Sequence, residues 1–337
     1  MVTNRWLLRM TVLLIISLST LLFIQGCGSK EATSDKAEVN QELMPVYTAG
    51  SGGAAYILGG GIASIANKYI PGLNLVAEAS TGSLGMVQLI EERNQQGKGA
   101  FAVIASDGAY NGYNGKSQFK QAYPSMRAVS FLYGAELYLV VPRDSSIKSY
   151  ADVKGKRIGA GAPGSTVATL ASLIIEKSGV GKDEYEALPL GYKEVVQGIK
   201  DGSIDGGFLA GAAPVAAYNE LSSSEDVRII PVEEAIAQDI VKNSPYYYQT
   251  KVKSGAYKGT DSDVPVLAFG VLILTNEKTT DDLVYNVIKT LLEKHGELEA
   301  VHKTAKQMTP DTVLTGIGIP LHPGAEKYYK EAGIMQN

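Results

Sequence analysis

Three times in this chain an apolar, strand-like run ends in a cluster of Gly, Ser and Thr, and a helical pattern begins at once. The clusters are Ser51-Gly52-Gly53, Ser80-Thr81-Gly82-Ser83 and Gly161-Ala162-Pro163-Gly164-Ser165-Thr166. A first helical turn leaves backbone N–H groups unpaired, and the helix dipole adds positive potential there. Missing side chains let a ligand approach those donors, and hydroxyls add adjustable ones. Each cluster taken singly also reads as an ordinary helix cap. Together, at the carboxyl ends of strands in an open sheet, they predict a cleft for a small anion, a carboxylate above all.

The alternation runs through most of the chain. MPVYTA, LNLVAEAS and AFAVIAS read as strands, ILGGGIASIANKY and SLGMVQLIEERNQQ as helices, and DGAYNGYNG as a polar turn. RAVSFLY and ELYLVVPR read as two strands broken at Gly134-Ala135; KRIGAG, GGFLAG, RIIPV and VPVLAFGVLILTN follow as strands. TVATLASLIIEKSG, EVVQGIKDG and LVYNVIKTLLEKH carry helical periodicity. Such alternation predicts an α/β fold with mainly parallel sheets. Beyond residue 42 about 295 residues remain, more than one core usually serves, so two lobes are expected. ELYLVVPR and VPVLAFGVLILTN are the candidates to cross between them.

The N-terminus sets a compartment. Arg5 and Arg9 precede an apolar run, Met10 to Ile24, that closes in Gln25-Gly26-Cys27. At about 15 residues the run suits a signal-peptide core and falls short of a membrane span. A small residue before the chain's single cysteine matches a bacterial lipoprotein signal, so residues 1–26 read as a leader and Cys27 as the lipidated residue, inserted in the bilayer. Residues 27–43, polar and small, read as a flexible tether. Losing Arg5 and Arg9 with the leader takes the formal charge from −4 to −6, which argues against a nucleic-acid surface.

Catalytic patterns are weak. Gly50-Ser51-Gly52-Gly53-Ala54-Ala55 fits G-x-G-x-x-A, but Glu78 lies beyond the usual acidic spacing and an exported chain meets no nicotinamide cofactor. His295, His302 and His322 do not form a metal-site spacing, and no G-x-S-x-G occurs. No enzyme, cofactor or metal is expected. Asp107 follows a strand, as a turn former or a ligand contact. Tyr246-Tyr247-Tyr248 could wall a pocket or pack between lobes.

Several stretches carry a resemblance. Ile319-Pro320-Leu321-His322-Pro323-Gly324-Ala325, then Tyr328-Tyr329 and Glu331-Ala332-Gly333, is the most specific. Gly155-Lys156-Arg157 before the third cluster, Asp201-Gly202-Ser203-Ile204-Asp205 before Ala210-Gly211-Ala212, Asp107 with Tyr113-Asn114-Gly115, and Gly255-Ala256-Tyr257 before Val264-Pro265 keep the same order. From about Val46 to Ile334 the chain resembles the TAXI family of solute-binding proteins, receptors of TRAP transporters. The resemblance implies a type II periplasmic-binding-protein fold: two α/β lobes joined by crossing hinge strands, with the ligand cleft between them. Lobe one would comprise residues 44–137 and 265–337, lobe two residues 138–264. It implies capture of a small carboxylate, an amino acid, a dicarboxylate or another small organic acid, outside the cytoplasm and delivery to TRAP permease subunits. A sensing lobe for a membrane kinase or chemoreceptor would read similarly.

The expected ligand contacts are Ser51, Gly52, Gly53 and Tyr56 from the first loop, Thr81, Gly82 and Ser83 from the second, and Gly164, Ser165 and Thr166 from the third. Asp107, Gly211 and Tyr247 complete them. The chain departs from the family at Ala49, Ala55, Ile57, Met86, Ala105 and Val167, several of them apolar where the family is polar. These departures suggest a less polar acid as ligand. His322, remote from the loops, reads as structural or as part of a docking surface.

Overall fold

The structure, a computed structural model, describes residues 43–49 and 53–336. The leader, Cys27 and nearly all of the tether lie outside the described residues, as do Ser51 and Gly52.

The described strands form one sheet. Its first side holds β1 (Met44–Thr48), β2 (Leu75–Ala79) and β3 (Phe101–Ala105), mutually parallel in the order β2-β1-β3. Parallel neighbours need crossover connections, which α1 (Ala54–Tyr69) and α2 (Ser83–Gln95) supply. The second side holds β5 (Arg157–Gly159), β6 (Glu186–Leu188) and β7 (Gly206–Gly211), again parallel, with α4 (Thr166–Lys177) and α5 (Tyr192–Lys200) as crossovers. Between the sides run two long antiparallel strands, β4 (Met126–Pro142) and β10 (Val264–Asn276). β10 pairs with β3 along Val271–Thr275 and with β9 (Tyr247–Val252) along Val264–Phe269. β4 pairs with β7 and with β8 (Val227–Ile230) through its second half. The expected divisions at 137/138 and 264/265 thus fall on strands common to both sides, not in loops.

Two expectations are corrected. The break at Gly134-Ala135 is absent: both residues pair with β10, opposite Gly270 and Phe269, and β4 runs unbroken for 17 residues. DGAYNGYNG is not a turn but most of helix α3 (Ser106–Asn114), despite its three polar or glycine pairs. Asp107 sits in its first turn, where a carboxylate complements the helix dipole. Gly115 closes it in the left-handed region, φ 61°. Gly112 lies against Val87 of α2, so the glycines that weaken the helix locally let two helices approach closely.

Apolar packing follows the layers. Met86, Val87 and Ile90 of α2 join Ile104, Phe131 and Leu272 in one buried cluster over the first side. Val195, Val196 and Ile199 of α5 join Tyr138, Leu209 and Tyr218 over the second. Family-like motifs prove to be joints in this frame. Arg157 donates through Nε and Nη2 to the two carboxylate oxygens of Asp205, at 3.1 and 3.0 Å, and through Nη2 to Gly202 O. His322, 1% exposed, caps the helix Pro323–Glu331 by accepting from Gly324 N, and its Nε2 meets Thr279 O at 2.9 Å. Buried so fully, it has no part in a docking surface.

Candidate functional site

Asp107 is the point where the predicted elements converge. It follows β3 almost directly, so the strand delivers it to the edge of the sheet's first side, and the α3 turn leaves the residue 5% exposed. Thr166 Oγ1, at the start of α4 on the second side, donates to Asp107 Oδ1 across 2.7 Å. Tyr247 Oη, at the start of β9, donates to Oδ2 across 3.3 Å. Gly108, the next residue, packs so tightly on Ser83 that an added Cβ would overlap Ser83 Cβ and Oγ. The second loop, the third loop and the tyrosine run therefore meet around one carboxylate.

The loops differ in how their helices start. Gly82 holds φ 101° and ψ −170°, a region that essentially only glycine enters, and no side chain caps α2. Its first N–H groups are thus left without a side-chain acceptor, and Ser83 is buried among them. Gly53 opens α1 likewise without a side-chain cap, and Tyr56 beyond it is half-buried. Ser165 behaves otherwise: its hydroxyl accepts from Ala168 N at 3.2 Å and caps α4. Gly164 and Thr81 are exposed. Gly211 ends β7, its carbonyl accepting from Tyr138 Oη at 3.0 Å; no hydrogen bond joins it to Asp107.

Other cross-side contacts were not anticipated from the sequence. Ser106 Oγ donates to Tyr246 O at 3.0 Å and accepts from Gly270 N at 3.1 Å, tying β3's end to β9 and β10. Tyr110 lays its ring 4.9 Å from that of Tyr246, which lies 4.7 Å from Tyr247. Tyr110 stands three residues after Asp107, one turn on the same helix face, and that spacing was the available signal. Glu136 on β4 accepts from Tyr138 Oη at 2.6 Å and from Ala213 N at 3.0 Å, anchoring the loop after β7. Met86 and Val167, two of the apolar departures, lie in buried apolar clusters, which makes them packing positions.

Burial pushes the Asp107 carboxyl above its ordinary range, against the opposing pull of Thr166, the Gly108 N–H and Tyr247. Burial also raises the Tyr247 phenol, and the nearby Asp107 charge adds to it. Among the described residues no three His, Cys, Asp or Glu side chains are grouped to hold a metal. No described helix is long and apolar enough to cross a membrane.

The sequence that builds this geometry matches a known family. The profile of the NMT1-like family fits residues 46–333, nearly the whole described chain. The chain belongs to the NMT1-like family. Solved structures agree on the fold. The TctC solute binding protein from Polaromonas superposes with TM-score 0.52 at 15% identity, over 87% of this chain and 98% of that one. MatC from Rhodopseudomonas palustris with bound malate gives 0.53 at 12%, over 80% and 90%. XAC2383 from Xanthomonas citri bound to ATP gives 0.54 at 12%, over 87% and 96%. The fold of this family member is thus the mixed α/β fold of periplasmic binding proteins, with two α/β sides joined by crossing strands.

Proposed function

We propose that this chain is an extracytoplasmic solute receptor of the TAXI type, tethered through lipidated Cys27, which closes on a small carboxylate-bearing solute and delivers it to a TRAP permease. The single observation that carries the reading is the hydrogen bond from Thr166 to Asp107. It joins residue 166, in the proposed lobe two, to residue 107, in the proposed lobe one, at the rim of the strands both share. A solute that touches both loops gains contacts in the closed form that the open form lacks, and this difference drives closure.

The solute's carboxylate would lie at the uncapped start of α2, among Gly82 and Ser83, with the first loop adding Gly53 and Tyr56. Ser165 is better read as a cap than as a contact. The proposed lobes divide within β4, at 137/138, and at the start of β10, at 264/265, so the hinge is a bend of two continuous strands. The malate bound by MatC and the solute-binding description of TctC accord with this class of cargo.

Calorimetry over amino acids and organic acids tests the reading. The wild-type chain should bind at least one tightly, and Ser83→Glu or Thr166→Glu should abolish that binding while the melting transition persists. Affinity unchanged within a few-fold in both variants would remove these loops from the site. Uptake into vesicles carrying the permease, dependent on the added receptor, tests delivery.

A further inference from the structure

Asp107 is a buried carboxylate whose partners are all neutral. Thr166 Oγ1, Tyr247 Oη, the Gly108 N–H and its own N–H bond to it, and no ion pair among the described residues includes it. Glu136, on the crossing strand, is likewise held by neutral donors, a phenol and a peptide N–H. Lys116 lies over the Tyr110 ring, 5.3 Å from its centroid, and makes no bond to Asp107. Lys303 and Lys306 line a separate cavity with Ala212, Ala213 and Pro214. Neither forms an ion pair among the described residues.

A desolvated carboxylate without a countercharge is costly, and a second anion brought beside it would be repelled. A cleft that offered only this group would therefore oppose a dicarboxylate. An ammonium reverses the sign. It brings a full positive charge to a carboxylate held so far only by neutral donors, and the electron-rich rings of Tyr247, Tyr246 and Tyr110, in contact one with the next, add to the attraction for a cation.

We propose that Asp107 is the counter-ion for a protonated amine on the bound solute, so that the cleft selects a zwitterion, an amino acid, over a dicarboxylate or a simple organic acid. The inference rests on the solute-receptor reading above, and it narrows the cargo of that same site. The amine lies between Asp107 and the tyrosine faces. The carboxylate lies toward the uncapped start of α2, on the Ser83 side of Gly108. Thr166 and Tyr247 hold Asp107 in place without neutralising it.

Matched pairs test this. The full chain in detergent is titrated calorimetrically at pH 7 with glutamate and 2-oxoglutarate, leucine and 4-methyl-2-oxopentanoate, and alanine and pyruvate. In at least one pair the amino member should bind at least 100-fold more tightly than its oxo acid. Asp107→Asn should weaken that amino member at least 30-fold and narrow the ratio within the pair, with the melting transition retained. An oxo acid binding as tightly as its amino partner overturns the role of Asp107 and leaves the receptor reading standing. Retained amino-acid affinity in Asp107→Asn does the same. Binding of no member of any pair overturns the carboxylate-receptor reading, and this inference with it. The wild-type pairs decide the matter even where the variant fails to fold.

Discussion

Thr166 donates its hydroxyl proton to Asp107 across 2.7 Å, and 59 residues of chain separate the two. The bond ties the first turn of α4 to the first turn of α3, from opposite sides of the shared strands. Thr166→Val keeps the shape and removes the donor, leaving a buried acceptor short of one partner. We expect a loss of about 1–3 kcal/mol. It should read as a melting temperature lowered by a few degrees and weaker solute binding. Thr166→Ser should restore most of both.

Asp107 also sets a pH dependence. Its carboxyl is raised by burial, so the folded chain holds that proton more tightly than the unfolded chain. The stabilisation is therefore complete below the unfolded value near 3.8 and is lost as pH rises through the raised folded value. Asp107→Asn, which keeps an acceptor and removes the charge, should flatten the melting-temperature profile over that window. At pH 7 the ligand-free variant should melt higher than wild type, whereas its solute affinity falls. A profile parallel to wild type would contradict this.

Gly108 is required by closeness, since a Cβ there overlaps Ser83. Gly108→Ala should separate the start of α2 from α3 and cost about 1–3 kcal/mol of stability, as overpacking does. Solute affinity should fall with it. Gly108→Ala combined with Ser83→Gly relieves the overlap, and the pair should recover stability beyond the sum of the single effects. Chemical denaturation of the four chains measures the coupling.

His322 should prove structural. Its Nδ1 accepts from Gly324 N and its Nε2 meets a carbonyl, an arrangement that needs the neutral ring. Burial lowers its pKa, so its neutral-state stability is lost as pH falls through the unfolded value near 6.5 and toward the lowered folded one. His322→Ala should destabilise by about 1–3 kcal/mol with solute affinity unchanged; a shift in affinity alone would place it at the site.

The Arg157–Asp205 joint offers a control. Both side chains are partly exposed, so its two-pronged geometry is worth about 1 kcal/mol or less. Asp205 is held below the usual carboxylate range by Arg157, and its contribution is present above the unfolded value and lost as pH falls through the folded one. Arg157→Ala should lower the melting temperature slightly at neutral pH, less at pH 3, and leave binding intact.

What the amino-acid order determined by itself is local. Alternating apolar runs and helical periods placed β1, β2, β3, α1, α2 and the long β10, because burial of one face writes a period into the residues that share it. The clusters at residues 80–83 and 161–166 were legible for the same reason, since helix starts and tight turns select Gly, Ser and Thr by backbone geometry. The tertiary structure decided the rest. DGAYNGYNG reads as a turn because its residues form poor helix alone, and it becomes α3 because Gly108 and Gly112 let it pack against α2. Gly134-Ala135 reads as a break and pairs instead with Gly270 and Phe269, on a strand far away in the chain. Among three similar loops, only packing distinguished Ser165, a cap, from Thr166, a donor to Asp107. No spacing in the chain encodes that meeting, because it depends on two strands carrying distant helix starts to the same edge.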